Sequence, residues 1–125
     1  GLAFGVDDRI EIRREIERDS LGREGVLRRQ HRLERGYRIE IENRHERSMN
    51  VTILDRLPVP RDERIQVERS PSGTAPTRGD ADGRPGVLAW DLELDPGASE
   101  TLHFAYTVVW PEDVEFIHGL QGAEP

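Results

Sequence analysis

The feature that most constrains this chain is a strict two-residue alternation between residues 101 and 110. Every even-numbered position in this segment carries a large apolar side chain, and most of the intervening residues are smaller or more polar. Successive side chains of a β-strand point to opposite faces, so this period predicts a strand with one buried face. The apolar positions are Leu102, Phe104, Tyr106, Val108 and Trp110.

Similar alternation predicts further strands over residues 9–17, 26–43, 51–57, 64–68 and 87–94. The first run also fits a helix, since Ile12 and Ile16 are four residues apart, but the lack of a second apolar row favours a strand.

The segments between these strands have turn chemistry. Residues 19–25 contain two glycines and predict a turn, and residues 28–35 are so charged that they predict a bulge or an exposed edge. The Asp95-Pro-Gly97 sequence predicts a hairpin that joins residues 87–94 to residues 101–110.

Several short strands, closely spaced turns and no convincing helix predict an all-β fold, an antiparallel β-sandwich of immunoglobulin or fibronectin III type. The chain has no cysteine, so the disulfide signature of true immunoglobulin domains is absent and the prediction concerns architecture alone. The predicted core residues are Tyr37, Ile39, Ile41, Val51, Ile53, Leu88, Trp90, Leu92, Leu102, Phe104 and Tyr106.

A length of 125 residues is that of a single domain. The abrupt apolar start without a signal peptide suggests a domain excised from a longer protein. Residues 69–86 contain almost nothing to bury, and we expect them to form a long, flexible loop.

Charge and motifs exclude several functional classes. A net charge of −7 disfavours nucleic acid as a partner, and no apolar run is long enough to insert into a membrane. The four histidines lack metal-pair spacing, and the phosphate-binding loop and nucleophile-elbow motifs are missing. We therefore predict no cofactor, no metal and no enzymatic activity.

Carboxylates around the Leu57-Pro-Val-Pro60 corner are the candidate binding residues. Asp55, Asp62 and Glu63 could converge there, as the paired carboxylates of glycoside hydrolysis do. The alternative is that they form ordinary surface ion pairs with the neighbouring arginines. Trp110, at the end of its strand, is the best candidate for an exposed ring that could stack on a sugar.

Several blocks of the sequence resemble one bacterial family. The string Tyr37-Arg-Ile-Glu-Ile-Glu-Asn43, the run from Val51 to Glu63, and the blocks Phe4-Gly-Val-Asp-Asp8, Gly86-Val-Leu-Ala-Trp-Asp91, Leu94-Asp-Pro-Gly97 and Tyr106-Thr-Val-Val-Trp-Pro111 carry the resemblance. Together they look like the C-terminal domain of the mucoidy inhibitor A (MuiA)-like family. The resemblance implies a domain of unknown function behind a coiled-coil stretch, in proteins linked by name to exopolysaccharide production.

Two functional hypotheses follow. The first is a non-catalytic module for protein–protein interaction or self-association, with the strand over residues 64–68 as a docking edge. The second is a carbohydrate-binding or carbohydrate-processing domain, suggested by the acidic corner and by Tyr37, Trp90 and Trp110 as possible sugar platforms. Trp110 is its best residue, provided that the ring is exposed. The compartment, bacterial cytoplasm or cell envelope, stays undetermined at this point.

Overall fold

A computed structural model describes residues 9–24, 30–112 and 120–121 of the chain. Every strand pair in these residues is antiparallel. The strands are β1 (Ile10–Glu24), β2 (Gln30–Asn43), β3 (Met49–Arg56), β4 (Val59–Pro60), β5 (Gln66–Arg69), β6 (Val87–Leu94), β7 (Ser99–Pro111) and β8 (Leu120–Gln121), with a 3₁₀-helix at Ala81–Gly83.

The strands form one large sheet and two small ones. The large sheet has the order β1-β2-β7-β5, β3 pairs with β6, and β4 pairs with β8. The four-stranded sheet and the β3–β6 sheet contribute side chains to a single hydrophobic core. The chain is therefore all-β, with antiparallel sheets packed over a common core, as the alternating sequence predicts.

The predicted core residues are buried, except that Val51 and Leu92 are only partly buried. Trp90 and Phe104 meet at the centre in an edge-to-face contact, with ring centroids 5.5 Å apart. Apolar residues that the prediction omitted complete the core, namely Leu33, Ile65, Leu94, Val108 and Trp110.

The predicted hairpin between residues 87–94 and 101–110 is wrong, although both segments are strands. β6 pairs with β3, whereas β7 pairs with β2 and β5 in the other sheet. The Asp95-Pro-Gly97 turn therefore carries the chain from one sheet to the other. In this arrangement the two apolar faces meet across the core, whereas a hairpin would place them side by side.

Asn43 holds this turn to the other chain reversal between the sheets, at residues 44–48. Its side chain is fully buried, and its Nδ2 group donates to the carbonyl oxygens of Arg47, Leu94 and Asp95 at 2.9, 2.9 and 3.1 Å. Its Oδ1 atom accepts a bond from the backbone N–H of His45. A single amide thus satisfies backbone groups in both connections.

The Asn43 backbone completes the same junction. Its N–H donates to the carbonyl of Ala98, and its own carbonyl accepts from the N–H of Gly97, both at 2.9 Å. Gly97 has a φ of 74°, a left-handed conformation that glycine adopts without steric cost.

The segment that follows β5 also changes sheets. The backbone of Ser70 and Thr74 bonds to β7 at Ala105 and His103, and Thr77 and Arg78 then bond to Ala89 of β6. The indole N–H of Trp90 donates to the carbonyl of Thr74 at 3.0 Å. Residues 70–78 therefore join the β7 edge of one sheet to the β6 edge of the other, and the flexibility expected for residues 69–86 stays a prediction.

The N-terminal half differs from the sequence prediction in two respects. β1 continues to Glu24 in register with β2, so residues 19–24 are strand rather than turn, and residues 25–29 lie outside the described residues. The bulge occurs in β1, between Ile16 and Arg18, while the charged segment of β2 lies in the sheet interior between β1 and β7. Its charges are accommodated because the cross-strand neighbours on β1 include opposite charges, such as Asp19 opposite Arg35.

We expect Asn43→Ala to lower the free energy of unfolding by about 3 kcal/mol, because it leaves several buried backbone groups without a partner. Urea unfolding measures this change. Asn50→Ala is the matched control, since Asn50 is exposed on β3. A loss for Asn43→Ala no larger than that of the control would contradict the role of this amide.

Candidate interaction edge

Two of the three carboxylates of the predicted acidic corner are engaged by arginines. Asp62 accepts hydrogen bonds from the backbone and the guanidinium of Arg64, and these bonds hold the pKa of Asp62 below its ordinary value. Glu63 is exposed beside it. Asp55 binds a different arginine, Arg14 of β1.

Trp110 is not the exposed ring that sugar stacking requires. It is 4% exposed, and its ring stacks on His31 of β2 with centroids 5.4 Å apart. Its even-numbered position continues the apolar face of β7, so the same alternation that predicts the strand also accounts for the burial of its last aromatic residue.

Different contacts connect the two sheets along the two open margins of the sandwich they form. On one side, the segment 70–78 connects the sheets through backbone hydrogen bonds. On the other side, β1 and β3 are linked by the ion pair of Arg14 and Asp55. The guanidinium Nε and Nη2 atoms donate to the two carboxylate oxygens at 2.9 and 3.0 Å.

Arg14 combines this bidentate pair with an aromatic contact. Its Cζ atom lies 3.8 Å from the centre of the Tyr37 ring, and the Asp55 side chain is only 9% exposed. Partial burial disfavours the charged guanidinium, but the hydrogen bonds and charge of Asp55 outweigh it and raise the pKa of Arg14 above its ordinary value. Arg14 is therefore a fixed cation between the two sheets.

β1 is an edge strand whose outward backbone groups can be identified. Among residues 9–24, 30–112 and 120–121, β2 is the only strand paired with β1. The N–H of Arg44 donates to the carbonyl of Arg9, and the register continues this pairing with Ile10 opposite Asn43. Antiparallel pairs alternate between bonded and non-bonded positions, so Glu11, Arg13 and Glu15 bond to β2.

It follows that the backbone N–H and C=O groups of Ile10, Ile12, Arg14 and Ile16 point away from the sheet. Such a row of groups is the template on which a further strand can pair. β5, the other edge of this sheet and the docking edge predicted at residues 64–68, spans only Gln66–Arg69. The longer edge is therefore on β1.

Charged side chains of alternating sign cover the outer face of this edge. Glu11 pairs with Arg44, and Glu15 pairs with Arg38 on the neighbouring strand. Arg13 lies 4.0 Å from Glu40. These pairs are exposed, so each adds little to stability, but together they give the edge a regular charge pattern.

The inner face of the edge carries an apolar side chain that the core does not cover. Ile16 is 61% exposed and is the exposed large hydrophobic residue of the described part of the chain. Ile10 and Ile12, on the same face, are partly buried against the core. Ile16 lies next to the bulge between Ile16 and Arg18.

Tyr106 places a polar phenol group on the buried face of β7. Burial raises the pKa of the Tyr106 phenol to about 12, and the neighbouring Tyr37 adds to the rise, while Arg35 opposes it. Because these groups lie on adjacent positions of β2 and β7, they form a polar patch within an otherwise apolar face.

Alternation over residues 9–17 places Arg14 and Ile16 on the same face as Ile10 and Ile12. It does not reveal that Ile16 is exposed or which group Arg14 binds. The pairing of Arg14 with Asp55 joins residues 41 positions apart. Only the packing of the two sheets brings these residues together.

Comparison with known proteins identifies a family. The profile of DUF4139, described as a domain of unknown function, matches residues 3–112, most of the chain. The chain belongs to this family. No curated protein and no solved structure matches the chain.

Metal clusters and membrane-spanning helices are both absent from the part of the chain that the structure describes. No cluster of three or more histidine, aspartate or glutamate side chains in it has the geometry of a metal site. It also contains no helix with the length and apolar character needed to cross a membrane.

We expect Arg14→Met and Asp55→Asn each to destabilise the fold by about 1–2 kcal/mol, and the double variant to lose less than the sum, because each single variant leaves a partly buried group without its partner. A double-mutant cycle in urea measures the coupling. The exposed pair of Asp62 and Arg64 is the control and should show no measurable coupling. Equal coupling in both cycles would contradict a special role for Arg14.

We expect alkaline pH to destabilise the fold through Tyr106. The pKa of this phenol is about 12 in the folded chain and about 10 when unfolded, so its contribution is fully present below pH 10 and is lost as the pH rises toward 12. Urea unfolding between these pH values should show a steeper loss for the native chain than for Tyr106→Phe. Parallel curves would contradict the shifted pKa.

Proposed function

We propose that this DUF4139 domain is a non-catalytic interaction module that uses the free edge of β1 to pair with a protein strand. The single observation that supports the proposal most strongly is the outward row of backbone groups from Ile10 to Ile16, next to the exposed Ile16 side chain. Strand addition gives affinity through main-chain bonds and specificity through alternate side chains. The fixed Arg14 holds β1 in place for such pairing.

Long edge strands are usually shortened, covered or charged, because an open edge promotes association. β1 has charged side chains on its outer face but keeps isoleucines on its inner face. A purely protective edge would not need an exposed Ile16 beside backbone groups that have no strand partner among the described residues. The combination favours a partner that offers both apolar and charged side chains.

The proposal also covers the kind of protein to which the domain belongs and the type of sandwich that it forms. The sequence blocks that resemble the MuiA-like family support a place for this domain in a larger bacterial protein, in the cytoplasm or the cell envelope. The two packed antiparallel sheets support, at the level of architecture, an immunoglobulin-like or fibronectin III-like sandwich.

The carbohydrate alternative stays a prediction with less support. Trp110, its best residue, is buried, and two of its three carboxylates are engaged by Arg14 and Arg64. Glu63 is the remaining exposed candidate.

A photo-reactive side chain at position 16 tests the interaction module in the cells that make the protein. Irradiation should give protein adducts from position 16 and fewer from position 93, because Glu93 is exposed on the other sheet. Equal yields from both positions would contradict the edge. A specific ligand on a glycan array, together with no protein adduct from position 16, would favour the carbohydrate alternative.

A further inference from the structure

We propose that the partner of the β1 edge is β1 of a second copy of this chain, paired antiparallel about a two-fold axis at Arg14. The inference rests on the proposed function and names its partner. An axis normal to the sheet keeps the inner faces of both copies on the same side, so two four-stranded sheets would become one continuous sheet.

The backbone geometry permits this register. The outward-pointing groups belong to even-numbered residues, and an axis at Arg14 pairs even-numbered residues with each other. Ile12 of one copy then lies opposite Ile16 of the other, and these positions exchange hydrogen bonds. The bulge after Ile16 limits the regular pairing on that side.

The outer face is complementary in charge. In this register Arg13 of one copy lies directly opposite Glu15 of the other, and the symmetry repeats the pair. These are non-hydrogen-bonded positions, where opposing side chains come closest, so opposite charges stabilise the pairing. The Arg–Glu pairs between β1 and β2 would thereby continue into the second copy.

The inner face is complementary in hydrophobicity. The exposed Ile16 would pack on Ile12 of the second copy, on both sides of the axis. At the axis the two Arg14 side chains face each other, but each is already neutralised by Asp55 and held over Tyr37 of its own chain. The like-charge cost at this position is therefore reduced.

Neighbouring registers lack this agreement. An axis at Arg13 places that arginine against itself and Glu11 against Glu15, and an axis at Glu15 places that glutamate against itself. Like charges directly opposite each other destabilise a strand pair. An axis at Ile12 matches the charges but gives Ile16 no apolar partner. The axis at Arg14 matches Arg13 with Glu15 and Ile12 with Ile16, and its like-charge pair, Glu11 with Glu17, falls at the bulge, where regular pairing ends.

The mass of the 125-residue chain in solution tests the pairing. Light scattering across micromolar to millimolar concentrations should give twice the chain mass of 14.3 kDa. Ile16→Lys should raise the dissociation constant about tenfold or more, since it places two charges in the interface. Gln66→Lys is the matched control, because it adds the same charge at the opposite edge of the same sheet and should leave the mass unchanged.

Disulfide cross-linking tests the register, because the chain has no cysteine of its own. A mixture of Arg13→Cys chains and Glu15→Cys chains should oxidise to a covalent dimer, since opposing non-bonded residues lie about 4.5 Å apart. Either variant alone should cross-link far more slowly, because like positions are diagonal neighbours about 7–8 Å apart. Both sites are exposed, so neither substitution removes a core contact.

A chain that stays monomeric at every concentration, or that cross-links equally in the mixture and in the single variants, overturns the proposal. The adducts from position 16 show whether the proposed function fails together with the self-pairing or survives it. If position 16 forms adducts with another protein while the purified chain is monomeric, the self-pairing is wrong and the interaction module stands. If position 16 forms no protein adduct, both are wrong.

Discussion

The buried amide of Asn43 is the interaction on which the arrangement of the two sheets depends. The chain passes from one sheet to the other twice at the same end of the core. The first crossing, through residues 44–48, joins β2 to β3, and the second, through the Asp95-Pro-Gly97 turn, joins β6 to β7. Carbonyl groups at such crossings lose water without gaining a ladder partner, which is costly. Asn43 supplies the missing donors to both connections, at Arg47 and at Leu94 and Asp95.

Because these reversals are arches between sheets, β3 does not pair with β2 and β7 does not pair with β6, although β3 follows β2 and β7 follows β6 in sequence. β2 and β7 come together in the middle of the large sheet, while β3 and β6 form the smaller one. This leaves β1 outside, held to the opposite sheet by Arg14 and Asp55. The edge that we propose as an interaction surface is thus a consequence of the arches, and its open backbone groups are a result of topology.

The edge that we propose as an interaction surface consists of backbone groups and of charged side chains whose sign alternates. Catalytic sites concentrate perturbed titratable groups in a cleft, whereas a strand edge presents ordinary side chains in a specific order. The altered pKa values of Arg14 and Tyr106 reflect packing against neighbours inside the fold. The information that the edge could carry lies in the order Ile12, Arg13, Arg14, Glu15, Ile16.

The sequence by itself determined which segments are strands and which faces they bury, because period-two alternation is a local property of the backbone. It therefore predicted the all-β class and the core residues around Trp90 and Phe104. Only the tertiary structure decided that the Pro-Gly turn joins two sheets and that Arg14 binds Asp55. These depend on contacts between distant residues, and alternation is the same whether two strands share a sheet or face each other across a core.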